Sequence, residues 1–333
     1  MIADEKKGLV RIEIQPTPPR AELAHLKPAQ RAELERLVEV TNVYADASRA
    51  KNTKRAYEAD WQAYRIWCEL KGLPSMPVNP DTVATYLSAL AEMGRKPSTI
   101  NRALSGIINA HKEAGYRWEK GHPTIQRVLK GIRRTWTLAG GSIAAKTPIA
   151  KEHLIALLGV LHDDWEGLRD RSIISLGWHG AFRRSELVAL DVEDLTFGPE
   201  GVAVRVRHSK TDQEGHGEYV GIPVSTNKTL CPVLALQAHL DGATTGAIFC
   251  AFSGKRLPAQ EVAFVVQRAA DLAGLPKGFA AHSLRSGFAT TAAGHGAGLA
   301  EIMRQGRWKD PKTALRYIRP ATLFENNAAK GLT

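Results

Sequence analysis

A chain of 333 residues with 44% hydrophobic and 24% charged residues, 29 glycines and 17 prolines has the length of two domains, and its composition excludes a collagen-like, low-complexity or wholly disordered protein. No stretch approaches the roughly 18 consecutive apolar residues of a membrane span, and Met1 to Pro16 lacks the apolar core of a secretory signal. The three cysteines, Cys68, Cys231 and Cys250, form no CxxC pair and read as structural thiols in a reducing compartment, so the expected location is the cytoplasm. The formal net charge of +11 points to a polyanion partner, and its distribution sharpens the point: residues 48–146 carry 17 Lys and Arg against 7 Asp and Glu, whereas residues 147–333 carry 21 against 19.

In chain order, residues 1–27, with Pro16, Pro18 and Pro19, read as a flexible arm leading into a helix over about 28–42. Tyr57, Trp61, Tyr64, Trp67 and Cys68 recur at helical spacing and predict a helix from Asn52 to Leu70, closed by Lys71-Gly72. Asp81 is a candidate cap for a helix carrying Val83, Tyr86, Leu87 and Leu90, and Ser98 a candidate start for one carrying Ile100, Leu104, Ile107 and Ile108. A fourth helix, from about Pro123 to Arg134, brings Lys130, Arg133 and Arg134 to its C-terminal end, where cations suit the helix dipole. Residues 28–140 are therefore expected to form an all-helical bundle, with 141–147 as linker.

Beyond the linker, helices are predicted at about 151–162 and 167–178. Val202, Val204 and Val206 alternate with Ala203, Arg205 and Arg207, a loop spans His208 to Gly217, and Tyr219 to Val224 returns as a second strand. Helical spacing resumes at about 232–240, 258–273, 283–293, 299–305 and 311–318. Residues 148–320 thus read as a mostly α domain with a small antiparallel sheet, followed by a tail over 321–333. The chain shows no internal repeat, P-loop or metal-binding Cys/His spacing.

Four separate segments of this second part carry groups suited to phosphate chemistry. Arg183-Arg184-Ser185-Glu186-Leu187 sets an arginine three residues ahead of an acid, and an arginine fork holds phosphate bidentately. His208-Ser209-Lys210-Thr211 places a lysine in the hairpin loop. His282-Ser283-Leu284-Arg285 puts imidazole and guanidinium on one helical face. Gly306-Arg307-Trp308 is followed, nine positions after the tryptophan, by Tyr317.

In this order and approximate spacing the chain resembles the tyrosine recombinase (phage integrase) family, most of all its Cre-like members, over roughly residues 28–325. The resemblance implies a mainly α, two-domain C-shaped DNA clamp: a helical core-binding bundle and a catalytic domain with a small antiparallel sheet. It implies site-specific DNA recombination through a 3′-phosphotyrosine and a Holliday junction, on duplex sites with inverted repeats bound by a homotetramer, with neither metal nor ATP and with the tail exchanged between protomers. Carried onto this sequence, Arg183 and Arg285 grip the scissile phosphate, Lys210 protonates the leaving 5′ oxygen, His282 assists proton transfer, Glu186 orients its neighbours, Trp308 stands where most members have histidine, and Tyr317 is the nucleophile. The cytoplasmic location would then be beside the nucleoid. A type IB topoisomerase-like relaxing enzyme and a catalytically silent DNA-binding protein stay open as alternatives.

The candidate DNA contacts are Arg49, Lys51 and Lys54 near the first long helix, Arg95, Lys96, Ser98, Thr99 and Arg102 around a helix start, and Arg133 and Arg134 near the end of the bundle. Lys255 and Arg256, in a glycine-containing turn of the second part, are a further candidate pair.

Overall fold

Proline presets the first turn of six of the thirteen helices among the described residues, four in the first part and two in the second. The computed structural model describes residues 26–47, 50–119, 121–142, 147–207 and 217–323, without the side chains of 46, 47, 51 and 319–321. The expected arm up to residue 25, Arg49, the Lys51 side chain, Lys210 with the rest of its loop, most of the linker and the tail from 324 lie outside these bounds. The chain divides into two compact units, residues 1–143 and 144–333.

The first unit contains α1 (Pro28–Ala47), α2 (Lys51–Leu70), α3 (Pro80–Glu92), α4 (Pro97–Glu113) and α5 (Pro123–Leu138). The spacing that predicted α2 delivers its aromatics inward: Trp61, Tyr64 and Cys68 are buried with Tyr86, Leu87, Ile100, Ile107 and Ile125. α2 packs on α4 and α3 on α5. Gly106 permits the first contact, since a Cβ there would lie 3.0 Å from the Tyr57 carbonyl oxygen. The cap of α3 is Asn79, not Asp81: its side chain accepts from the Asp81 and Thr82 amides at 2.8 and 3.3 Å, and Pro80 fixes the first turn. α4 starts at Pro97, one residue before Ser98. α5 runs four residues past Arg134, because nothing between Thr135 and Leu138 breaks a helix before Gly140 at φ +79°.

The second unit contains α6 (Lys151–Gly159), α7 (Trp165–His179), α8 (Arg184–Ala189), β1 (Leu195–Gly198), β2 (Gly201–Val206), β3 (Glu218–Pro223), α9 (Pro232–Leu240), α10 (Glu261–Leu272), α11 (Ala281–Gly294), α12 (Leu299–Gly306) and α13 (Pro311–Ala321). The mostly helical architecture with a small antiparallel sheet is as expected, but the sheet has three strands in the order β1-β2-β3 rather than two. In β2, Val202, Val204 and Val206 face the core, and Val202 and Val204 pair with Ile222 and Val220 of β3. α7 is the central helix, buried along most of its length from Gly167 to Gly177. It contributes Ile173, Ile174 and Leu176 to a hydrophobic core with Leu157, Leu187, Phe249 and Val265. A smaller cluster of Ala289, Ala293, Ile302, Trp308 and Ala314 joins α11, α12 and α13 beneath Tyr317.

Candidate active site

Three of the four segments singled out in the sequence meet in the second unit; the fourth, with Lys210, lies outside the described residues. The first is the turn between α7 and α8. Glu186, at the third position of α8, reaches back to accept the Arg183 amide at Oε2, 3.0 Å away, and the Arg183 guanidinium at Oε1, 2.5 Å from Nη1. Arg183 is thereby turned inward, while Arg184, its neighbour in sequence, is exposed.

α11 supplies the second segment. Arg285 is buried, donating from Nη1 to the Ala181 carbonyl and from Nη2 to the Gly306 carbonyl, and its guanidinium lies 4.2 Å from the centroid of the Trp308 ring. Burial, then the charges of Arg183 and Arg307, lowers the Arg285 pKa to about 9, which leaves it charged at neutral pH. One turn earlier on the same face, His282 places Nε2 2.7 Å from the Tyr317 hydroxyl.

α13 brings the third segment, Tyr317, against both. Its ring lies 5.9 Å from those of His282 and Trp308, and its backbone carbonyl accepts from the Thr290 hydroxyl at 3.3 Å. Burial raises the Tyr317 phenol above its ordinary value, with Arg285 and Arg316 pulling the other way, so the phenol is protonated at neutral pH. His282 is accessible from solvent, yet partial burial of its ring and the positive charges of Arg285 and Arg183 push its pKa below the usual histidine value. A neutral imidazole beside a protonated phenol is an acceptor facing a donor. Trp308 is 7% exposed, its indole filling the space over Gly306, where a Cβ would come within 1.9 Å of the ring.

One residue the sequence reading quoted without a role is central here. Arg307 is buried and donates from Nη2 to Glu186 Oε2 at 2.9 Å, and from Nη1 to the carbonyls of Gly180 and Gln305 at 3.1 and 2.9 Å. Burial acts to raise the Glu186 pKa, but Arg307 and Arg183 outweigh it and hold the carboxyl below its usual range. The only signal in the sequence was a charge wedged between Gly306 and Trp308.

The candidate DNA contacts fare unevenly. Arg95, Lys96 and Ser98 are exposed at the start of α4, with Thr99 partly covered. Lys54 is half-buried in α2. Arg133 and Arg134 are exposed on α5 and line a shallow surface cavity with Lys130, Thr137 and Leu138. Arg102 already has a partner within the chain: its guanidinium is forked onto Asp60, Nε and Nη2 donating at 2.8 and 3.0 Å, and ties α4 to α2, with the side chain still half exposed. Arg256 is likewise partnered, donating to the Val188 and Leu190 carbonyls at 2.8 and 3.1 Å and pairing with Asp191, whereas Lys255 beside it is exposed. Among the described residues there is no cluster of three or more metal-ligating side chains and no helix long and apolar enough to cross a membrane.

The phage integrase family model matches residues 149–323. An integrase/recombinase XerD homolog from Selenomonas ruminantium is 38% identical over 296 residues, covering 85% of this chain and 86% of its own length. The recombinase Cre of Escherichia phage P1 is 22% identical, covering 78% and 81%. Among solved structures, the Tn1549 transposon integrase in complex with transposon right end DNA superposes with a TM-score of 0.62 at 17% identity, covering 84% of this chain and 92% of that one. A lambda integrase dimer bound to a COC′ core site gives 0.56 at 17% identity, covering 90% and 84%. These last two share the fold, and the family model and the 38% identical relative, each covering more than half of the chain, carry the identification: the chain belongs to the phage integrase family and is a tyrosine recombinase.

Proposed function

We propose that the second unit cuts and rejoins duplex DNA at specific sites, with Tyr317 as nucleophile. The observation that carries this is the 2.7 Å contact between the Tyr317 hydroxyl and His282 Nε2, set beside the buried Arg285. His282 accepts the phenolic proton as the Tyr317 oxygen attacks phosphorus, forming a 3′-phosphotyrosyl ester and breaking the bond to the 5′ oxygen. Arg183 and Arg285 hold the non-bridging oxygens as negative charge builds on them. Glu186 fixes Arg183, and Trp308 supports Arg285 with its ring and offers its indole N–H to the phosphate. Lys210 delivers the proton that the departing 5′ oxygen needs. Because the ester keeps the energy of the broken bond, rejoining is the same step run backwards.

The first unit, with the exposed Arg95, Lys96, Arg133 and Arg134, positions the duplex through its phosphates. The substrate is a site with inverted repeats, bound by four copies of the chain that exchange strands through a Holliday junction, each lending its C-terminal tail to a neighbour. Residues 28–140 act as the core-binding domain and 148–320 as the catalytic domain.

The test is to incubate the protein, without Mg²⁺ or ATP, with duplexes selected by binding from a random-sequence library, and to trap SDS-resistant adducts. The unsubstituted protein is expected to form adducts whose 3′ ends map the site, and Tyr317→Phe to form none. Adducts undiminished in Tyr317→Phe would overturn the assignment of the nucleophile. DNA binding with no adduct from either protein would favour the silent DNA-binding alternative.

A further inference from the structure

We infer that Arg307 is a positioning residue of this centre, setting how Arg183 presents itself to the phosphate by dividing the two oxygens of Glu186; the inference rests on the assignment of Arg183 and Tyr317 proposed above. Arg307 sits just past the end of α12 at φ +54°, a left-handed conformation in which glycine is the unstrained choice. An arginine there goes against its backbone preference, and the contacts of its side chain offset that cost. The guanidinium is buried over the Phe182 ring, 4.8 Å from the centroid, and is spread over three carbonyls and one carboxylate.

Glu186 Oε2 takes the Arg307 Nη2 and the Arg183 backbone amide, so only Oε1 reaches the Arg183 side chain, and it does so at a single amino group, Nη1. Without Arg307, a buried carboxylate would have one guanidinium to satisfy both its oxygens, and the geometry it prefers is the two-point fork. Arg183 would then close onto Glu186 with the donors it needs for phosphate. Arg307 prevents this by occupying half of the carboxylate.

The same residue registers Arg285. Ala181, itself at φ +46°, turns its carbonyl inward to accept from both Arg285 Nη1 and Arg307 Nη2, and Arg285 Nη2 donates to the carbonyl of Gly306, the residue before Arg307. Two non-glycine residues held in left-handed conformations at one centre are strain that the surrounding contacts sustain.

The test follows the rate of adduct formation against DNA concentration, using the duplex mapped above. Arg307→Gly suits the backbone, and Arg307→Lys keeps the cation without the fork and serves if the glycine variant does not fold. Arg307→Gly is expected to lower the maximal rate about 10- to 100-fold with the half-saturating DNA concentration unchanged within about twofold, and Arg307→Lys to fall between it and the unsubstituted chain. In a Glu186→Gln background, where there is no charge left to divide, adding Arg307→Gly is expected to cost less than about threefold more. A maximal rate like that of the unsubstituted chain in both Arg307 variants, or a loss that multiplies in full onto that of Glu186→Gln, overturns the inference. Adducts formed by the unsubstituted chain and absent from Tyr317→Phe test the nucleophile separately, so the two readings fail on different results.

Discussion

The two units handle charge in opposite ways. In the first, the core is aromatic and aliphatic, the buried polar residues are Asp60 and His111 among those described, and the basic side chains at the starts and ends of its helices are on the surface. In the second, Arg169, Asp170, Glu186, Asp194, Arg285 and Arg307 are all buried, held by partners on several elements. Surface cations contribute affinity that salt screens and that each residue adds in small steps. Buried, crosslinked cations are fixed in place before any ligand arrives, which is what a reaction centre requires and a sliding contact does not.

The sharpest way to separate the units is Tyr317→Phe, which is expected to abolish covalent adducts while leaving DNA affinity, measured by gel shift, within about twofold of the unsubstituted chain. Next comes Glu186→Ala. It leaves Arg307 buried without its carboxylate and is expected to destabilise the second unit by about 3–5 kcal/mol in urea unfolding. Asp60→Ala in the first unit removes the partner of Arg102, whose side chain is 51% exposed and can turn to water, so the expected cost is only about 1 kcal/mol. Equal costs for the two would erase the distinction drawn here.

A pH profile sharpens the comparison further. His282 has a lowered folded-state pKa, so its working neutral form persists to more acid pH than in a free histidine. The maximal cleavage rate is expected to fall on acidification with a midpoint below 6.5, the ordinary histidine value that the unfolded chain retains. Stability moves in the same direction. The folded chain binds fewer protons than the unfolded one at His282, His179 and His239, so their contribution is complete above about pH 6.5 and is lost as pH falls below it. His282→Gln is expected to remove the inflection in the rate profile while leaving the binding profile alone. The smallest effect belongs to the surface: Arg133→Gln and Arg134→Gln are each expected to reduce the slope of log affinity against log salt by about 0.9, with no change in the cleavage rate at saturating DNA.

What the sequence made legible follows the range of the forces involved. α2 and α4 could be read because their apolar residues repeat along one face, and the grouping of Arg183, Glu186, His282, Arg285 and Tyr317 could be expected from ordered motifs. β1 was missed because Leu195–Gly198 is a short edge strand, mostly exposed, with no alternation to betray it. The cap of α3 was misplaced by two residues because Asn79 and Asp81 are both good caps and only the backbone around Pro80 chooses between them. The partners of Arg102 and Arg256 were not legible because a sequence shows a cation but not the acid that folding sets against it, 42 residues away for Asp60 and 65 for Asp191. Arg307 was passed over for the same reason, its carboxylate lying 121 residues earlier.

The buried cluster also has an arithmetic of its own. Among the described residues, Arg183, Arg285 and Arg307 contribute three positive charges and Glu186 one negative, a surplus of two. A phosphodiester in its ground state brings one negative charge and leaves the centre unbalanced. With the phenolic proton passed to His282, attack leaves the net charge of the centre unchanged and only redistributes it: the five-coordinate phosphorus gathers a second negative charge on oxygens that the fixed guanidiniums would face, while the balancing positive charge moves onto the imidazole.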